Sequence, residues 1–465
     1  MASSSKPFES SSGFSLLRHL TKEYPEAKGG EGNFIQGEKD KKVLDACGGA
    51  AVTCLGHNNK RMNHAMANYF LQNNLTYTST AFWRDPTVEE LCDKIIQGTN
   101  YQMFKVYLAG SGSEVVEAAI KLSRQYYYDQ DHNTTRKYFI ARERSYHGNT
   151  LGTLSLSDYK ARKDPYEPLL IQNVERVSAC YPYRQQEKDQ SDEEFISIKV
   201  AELEAKFQKL GSGNVIAFIA EPVVGAALGC VASPTGYLKA MRDVCHKHGA
   251  LFILDEVMCG IGRTGVLHAW QAENVVPDIQ LVGKGLGAGY QPVSAMIVSK
   301  RVHDVLLDTS KEFAHGYTHQ GMPIQAVAAL EVLRIIEEER LLDNVCKQGA
   351  LLEYELKDKL SGHAHVGDIR GRGLFWGLEF VKDKKTKETF DPKLKVAYEL
   401  KELSLCEFDM AIYPSMGCKD NISGDTVIIS PAYTVTSEDI KLIVEKLRDV
   451  VNTFFSRLYE NGVLN

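Results

Sequence analysis

Lys284 stands alone among glycines, in Val282-Gly283-Lys284-Gly285-Leu286-Gly287-Ala288-Gly289. Glycines let a flat ligand approach the backbone, and apolar surroundings lower a lysine pKa toward a usable nucleophile. An exposed turn lysine gives the same string. A phosphate-loop lysine is disfavoured, because Gly-x-x-x-x-Gly-Lys-Ser/Thr is absent. Upstream, Leu251-Phe252-Ile253-Leu254-Asp255-Glu256-Val257 reads as a buried strand ending in two acids. Acids at the carboxyl end of a parallel strand lie where α/β sheets bind ligands. Metal ligation or a helix N-cap accounts for them equally well. Ser111-Gly112-Ser113-Glu114 follows an apolar strand candidate and opens a helical run over 115–124. Free N–H groups and the positive end of a helix dipole make such a turn an anion site. The same residues also spell a capping box, Ser111 with Glu114 three residues on.

These residues need rigid elements to hold them. From about residue 100 to 330, apolar runs of strand length alternate with helical-period segments. The runs cover 103–109, 215–220, 251–254 and 293–298. Short β-branched runs between helices predict a mostly parallel, buried sheet, hence an α/β fold. Residues 182–209 open polar and predict a surface loop, then an amphipathic helix over 193–210. One long helical period spans 324–360. The tail mixes strands (373–381, 427–430) with a closing helix over 437–459. Three parts are expected: an N-terminal segment, 1–72, packing with the small domain; a large domain, 73–330; and a smaller α+β domain, 331–465.

Composition narrows the function classes. The 465 residues are 43% hydrophobic and 25% charged, an ordinary globular mixture. Net charge is −6 with no basic block, which disfavours nucleic acid as a partner. No run approaches the roughly 20 apolar residues that cross a bilayer. The ten cysteines are scattered without a Cys-x-x-Cys pair, so they read as reduced thiols rather than zinc ligands or disulfides. The serine-rich tip lacks the apolar core of a signal peptide. A cytoplasmic location is expected, with no metal.

Order along the chain adds what no single motif carries. Ser111-Gly112-Ser113-Glu114, Tyr146-His147-Gly148, Glu221-Pro222, Asp255-Glu256-Val257, Gly262-Arg263-Thr264-Gly265, Lys284 and Thr318 follow one another. In this order the chain resembles the class III pyridoxal-phosphate-dependent aminotransferases of fold type I, from Leu44-Asp45-Ala46-Cys47-Gly48-Gly49 to Ile429-Ser430-Pro431. The resemblance implies a large domain with a mostly parallel central sheet, helices on both faces, and pyridoxal 5′-phosphate as cofactor. It makes Lys284 the Schiff-base lysine and Asp255 the acid paired with the pyridine nitrogen. Val257 and Tyr146 would cover the two ring faces. Ser111, Gly112 and Ser113 would cradle the phosphate, and Glu221 would lie near the phenolic side. His147 and Met258 join the expected cofactor contacts. Thr318 would reach the phosphate across a homodimer interface.

The implied reaction is ping-pong transfer of an amino group from an amine or amino acid to a keto acid. Racemisation, an internal amino-group shift or decarboxylation would use the same cofactor residues, and an inactive binding protein is a further alternative. Three departures bear on substrate. Ile428 replaces an arginine that grips a carboxylate in many members, Ala226 replaces a glutamate that masks it, and Met258 replaces a glutamine. Phe82, Trp83 and Arg84 fall in the segment that lines the entrance in this family. Arg84 is a candidate carboxylate clamp, or else an exposed side chain paired with Asp85.

Overall fold

The computed structural model describes residues 15–72 and 75–464. The serine-rich tip, read above as carrying no signal peptide, falls mostly outside these residues. The core is a seven-stranded sheet in the spatial order Lys105–Ala109, Ser294–Val298, Ile279–Val282, Leu251–Asp255, Val215–Ala220, Tyr138–Arg142, Val174–Val177. Ser294–Val298 runs antiparallel to both neighbours, and the other pairs are parallel. The expectation of a mostly parallel α/β sheet is met.

The unbroken apolar runs follow from burial on both faces. Along Leu251–Asp255, Phe252 and Leu254 face one hydrophobic cluster while Leu251 and Ile253 face another. Successive strand residues alternate sides, so a strand covered on both can afford no polar position until its end. The helix Gly112–Gln130 covers one face through Val115, Ala118, Ala119 and Leu122. Asp192–Leu210 and Tyr237–Lys247 cover the other through Phe195, Leu203, Met241 and Val244.

Two expectations need correction. The loop before residue 193 begins with a short helix, Pro182–Gln185, and it is tied down. Arg184 donates to Glu379 at 2.6 Å and to the Lys387 carbonyl at 3.0 Å. The long period over 324–360 is two helices, Pro323–Glu338 and Leu341–Leu360, broken where Arg340 takes a φ of 50°. Three successive glutamates, Glu337 to Glu339, sit at the negative end of the first helix, where acids are unfavourable. Arg61 draws two of them away at 2.9 and 3.4 Å. Side-chain period does not register such a break.

A four-stranded antiparallel sheet orders Val366–Arg372, Phe375–Phe380, Asp425–Ile429 and Tyr413–Met416. Leu341–Leu360 and the closing helix Ser437–Glu460 pack beside it. Near the N-terminus, Gly29–Glu31, Phe34–Gln36 and Lys42–Asp45 form a small sheet. It is completed by Met410–Ala411, which runs parallel to Lys42–Asp45.

Candidate active site

Five strands of the central sheet end at one cavity of about 510 Å³. Lys105–Ala109 leads to Ser111, Tyr138–Arg142 to Tyr146 and His147, and Val215–Ala220 to Glu221. Leu251–Asp255 ends on Asp255 itself, and Ile279–Val282 leads to Lys284. This is the carboxyl edge, where open α/β sheets bind ligands. Of the sequence-predicted residues, Ser111, Gly112, Ser113, Tyr146, His147, Glu221, Asp255, Val257, Met258 and Lys284 all line it.

The two acids at the strand end face apart. Asp255 turns to the cavity; its Oδ2 lies 2.8 Å from His147 Nδ1, and Oδ1 accepts from the Val257 N–H at 3.1 Å. Glu256 turns away and is fully buried. It accepts from the N–H groups of Ala269 and Trp270 at 2.6 and 2.9 Å, and from Gln280 at 2.8 Å. Burial pushes the Glu256 carboxyl up to about 7, against those three donors. Its work is to cap the turn at Ala269–Ala272, one of the alternatives open for the acid pair. Among the described residues no group of three His, Cys, Asp or Glu is placed to hold a metal ion.

Lys284 follows Gly283 in a left-handed backbone conformation, φ 44°. Burial pushes its ammonium below the ordinary lysine value, while the Asp255 and Glu221 carboxylates oppose that shift. A buried amine near two carboxylates is a nucleophile that also handles protons. Glu221 accepts from the N–H groups of Tyr146 and Gly225, both at 3.1 Å, and burial raises its carboxyl pKa.

The capping reading of Ser111 holds in part. Its hydroxyl accepts from the Glu114 N–H at 3.2 Å, but the Glu114 carboxylate reaches past it to the Gly110 N–H at 2.7 Å. Half the capping box forms. That leaves the Gly112 and Ser113 N–H groups, at the start of a 19-residue helix, open to the cavity. A Cβ on Gly112 would meet Val257 Cγ1 at 2.8 Å, and one on Gly283 would meet the Ser294 hydroxyl at 2.5 Å. Only glycine lets these turns close around Val257.

Three departures noted in the sequence share one place. Met258, Ile428 and Ala226 belong to a single apolar cluster with Ala51, Val223 and Phe375, and Met258 and Ala226 form part of the cavity wall. Ile428 is fully buried. Val52 and Gln291 to Ser294 also line the cavity, and no motif marked them.

Four predicted residues lie elsewhere in the chain. Phe82 and Trp83 are 79% and 70% exposed. The Arg84 side chain is 82% exposed and pairs with Glu89 at 2.9 Å, not with Asp85. Asp85 instead caps the helix Pro86–Gly98 by accepting from Thr87 and Val88. Thr318 is exposed, and its carbonyl accepts from the Tyr77 hydroxyl at 2.8 Å.

The family model for class III aminotransferases matches residues 21–451. The chain belongs to the class III aminotransferases. An aminotransferase of Gibberella zeae is 47% identical over 88% of this chain and 80% of its own. An uncharacterized aminotransferase of Schizosaccharomyces pombe is 40% identical, covering 92% of each. Among solved structures, a transaminase from ancestral reconstruction superposes with a TM-score of 0.87 at 31% identity, over 94% of this chain and 93% of that one. An ω-transaminase of Pseudomonas jessenii in complex with PMP gives 0.85 at 29%, over 93% of each chain. The aminotransferase thus has the fold of type I pyridoxal-phosphate transaminases, and it is an enzyme of amino-group transfer. No helix among its described residues is long and apolar enough to cross a membrane.

Proposed function

We propose that the cavity holds pyridoxal 5′-phosphate, with Lys284 as the residue that anchors its aldehyde. The observation that carries this is convergence: a depressed-pKa lysine, a buried carboxylate and a helix N-terminus meet in one space. They fit the cofactor's three polar features, its aldehyde, its ring nitrogen and its phosphate. The bound cofactor supplies an electron sink for the carbon that carries the amino group. Asp255, oriented by His147, sets a negative charge for a protonated ring nitrogen. We assign Val257 and Tyr146 to the ring faces, the Gly112 and Ser113 N–H groups to the phosphate, and Glu221 and Met258 to the phenolic side.

Lys284 has two tasks. Its amine would hold the cofactor's aldehyde, and its Nζ, when free, would carry a proton between two carbons. Positioned acid–base catalysis of this kind contributes about 10²–10⁴-fold. Donor and keto-acid acceptor react in alternate halves of a ping-pong cycle. Relatives named for γ-aminobutyrate and for diaminobutyrate with 2-oxoglutarate support an amine donor and a keto-acid acceptor. Exposed Thr318 fits a homodimer in which it completes the partner's site. Ten unbridged cysteines fit a reducing compartment, for which we take the cytoplasm.

The test is spectral. Purified protein should absorb in the visible, lose that band in Lys284→Ala, and convert to the amine form of the cofactor with donor alone. A band that persists without Lys284 overturns the anchor. Failure of every donor to convert it would move the reaction toward racemisation, amino-group shift or decarboxylation.

A further inference from the structure

Beside the first cavity lies a second, of about 820 Å³, that no motif announces. The two adjoin along three elements. Tyr146 lines the inner cavity and meets Tyr159 of the outer one edge-on, ring centroids 6.2 Å apart. Val52 faces inward and Gly49, in the same turn, outward. Ala226 lines the inner wall, and its carbonyl accepts from Ser415, between Pro414 and Met416 of the outer wall.

The outer cavity is cationic. Five lysines and arginines line it against two glutamates. Lys22 and Lys401 are both spent on Glu402. Among the described residues, Arg18, Arg162 and Lys395 meet no carboxylate, and of the three only Arg162, in the short helix Lys160–Lys163, is half-buried. Its surroundings are phenols. Burial raises the hydroxyl pKa values of Tyr146, Tyr398 and Tyr413, and the Arg162 and Arg18 charges pull each back down. The Arg162 guanidinium therefore sits within electrostatic reach of the inner cavity's aromatic wall and of both outer tyrosines. Tyr413 is also the strand partner of Ile428, the apolar residue noted above as replacing an arginine.

A half-buried guanidinium that lines one cavity with Tyr159, Tyr398 and Tyr413, and has no acid of its own, is suited to receive an anion. We infer that Arg162 binds the carboxylate of the substrate, with Tyr398 or Tyr413 as a second donor, while the apolar Met258 and Ala226 wall holds the carbon chain between carboxylate and reacting amine. This rests on the proposed transamination at Lys284, and it gives this enzyme a carboxylate subsite away from the strand Asp425–Ile429. It sets a preference by length: the carboxylate must reach past Tyr146.

Two measurements on the holoenzyme test it. In the donor half-reaction, followed by cofactor absorbance, Arg162→Met should weaken saturation by 5-aminopentanoate about 10–100-fold, the range of a charge-assisted hydrogen bond. It should leave pentylamine within about twofold, and Arg162→Lys should fall between. An equal loss for both donors, or no loss for the amino acid, overturns the assignment. Independently of turnover, pentanoate should raise the thermal midpoint of wild type more than that of Arg162→Met, and pentanamide should raise neither. Equal responses of the two proteins to pentanoate, or no response in wild type, overturn the subsite. If neither donor alters the chromophore while pentanoate still distinguishes the two proteins, the transamination reading fails and the anion site stands.

Discussion

The floor of the inner cavity and its outer wall are built in opposite ways. Each floor residue sits at, or a few positions past, the carboxyl end of a central strand, so its place is set by the sheet. The outer wall draws on the N-terminal stretch near Arg18, the turn at Gly49, the helix at Arg162, and the strand at Tyr413. No two of these are neighbours in sequence. The floor is set by one sheet, and the wall is assembled from separate segments. On the proposed reading, chemistry belongs to the first and substrate choice to the second.

The largest expected effect strikes the floor. Lys284→Ala should lower amino transfer by about 10⁴-fold for every donor alike, measured in steady state. A loss that varied with the donor would dissolve the distinction between floor and wall. Next is the wall's own core. Ile428→Arg puts a charge into the cluster of Met258, Phe375 and Ile428, and should cost about 3–5 kcal/mol of stability by denaturant unfolding. An unchanged midpoint would mean that the wall tolerates a cation there after all.

The adjacent acids sharpen the contrast within two residues. Asp255→Asn should cost about 10²-fold in turnover with little change in folding, since its charge faces the cavity. Glu256→Gln should do the reverse, removing about 1–3 kcal/mol of stability by turning an amide N–H toward backbone donors. The Glu256 carboxyl is raised to about 7, so the folded protein holds its proton where the unfolded chain releases it. Stability from that proton is present at low pH and is lost as pH rises through 7. The gap in melting temperature between wild type and Glu256→Gln should therefore narrow from about pH 5 to pH 8. The smallest effect lies outside both regions. Arg84→Ala should leave the Michaelis constant for the keto acid within about twofold, because Glu89 already holds the guanidinium at the surface.

The same contrast explains what could be read from sequence. Lys284, Asp255, Ser111 and Glu221 were legible because strand, turn and functional side chain are contiguous, so one window carries the element and its role. The buried strands were legible because both of their faces are covered. Arg162 was not: Tyr398 and Tyr413, which line the cavity with it, lie far down the chain, and Tyr159-Lys160-Ala161-Arg162 carries no pattern. Arg84 drew attention by standing near an expected entrance, yet its local partner Glu89 takes it away. The break at Arg340 escaped because one left-handed residue shifts no hydrophobic period.

The pairing of Lys42–Asp45 with Met410–Ala411 has a consequence for how the enzyme is made. The first of these segments leaves the ribosome before the central sheet and the second after it. While the central sheet assembles, the early strand waits without its partner, leaving an edge open to mispairing. The turn at Gly49, which follows that strand and lines the outer cavity, can settle only once Met410–Ala411 has joined it. A chain cut before Met410 would keep the central sheet and lose the strand that steadies the outer wall.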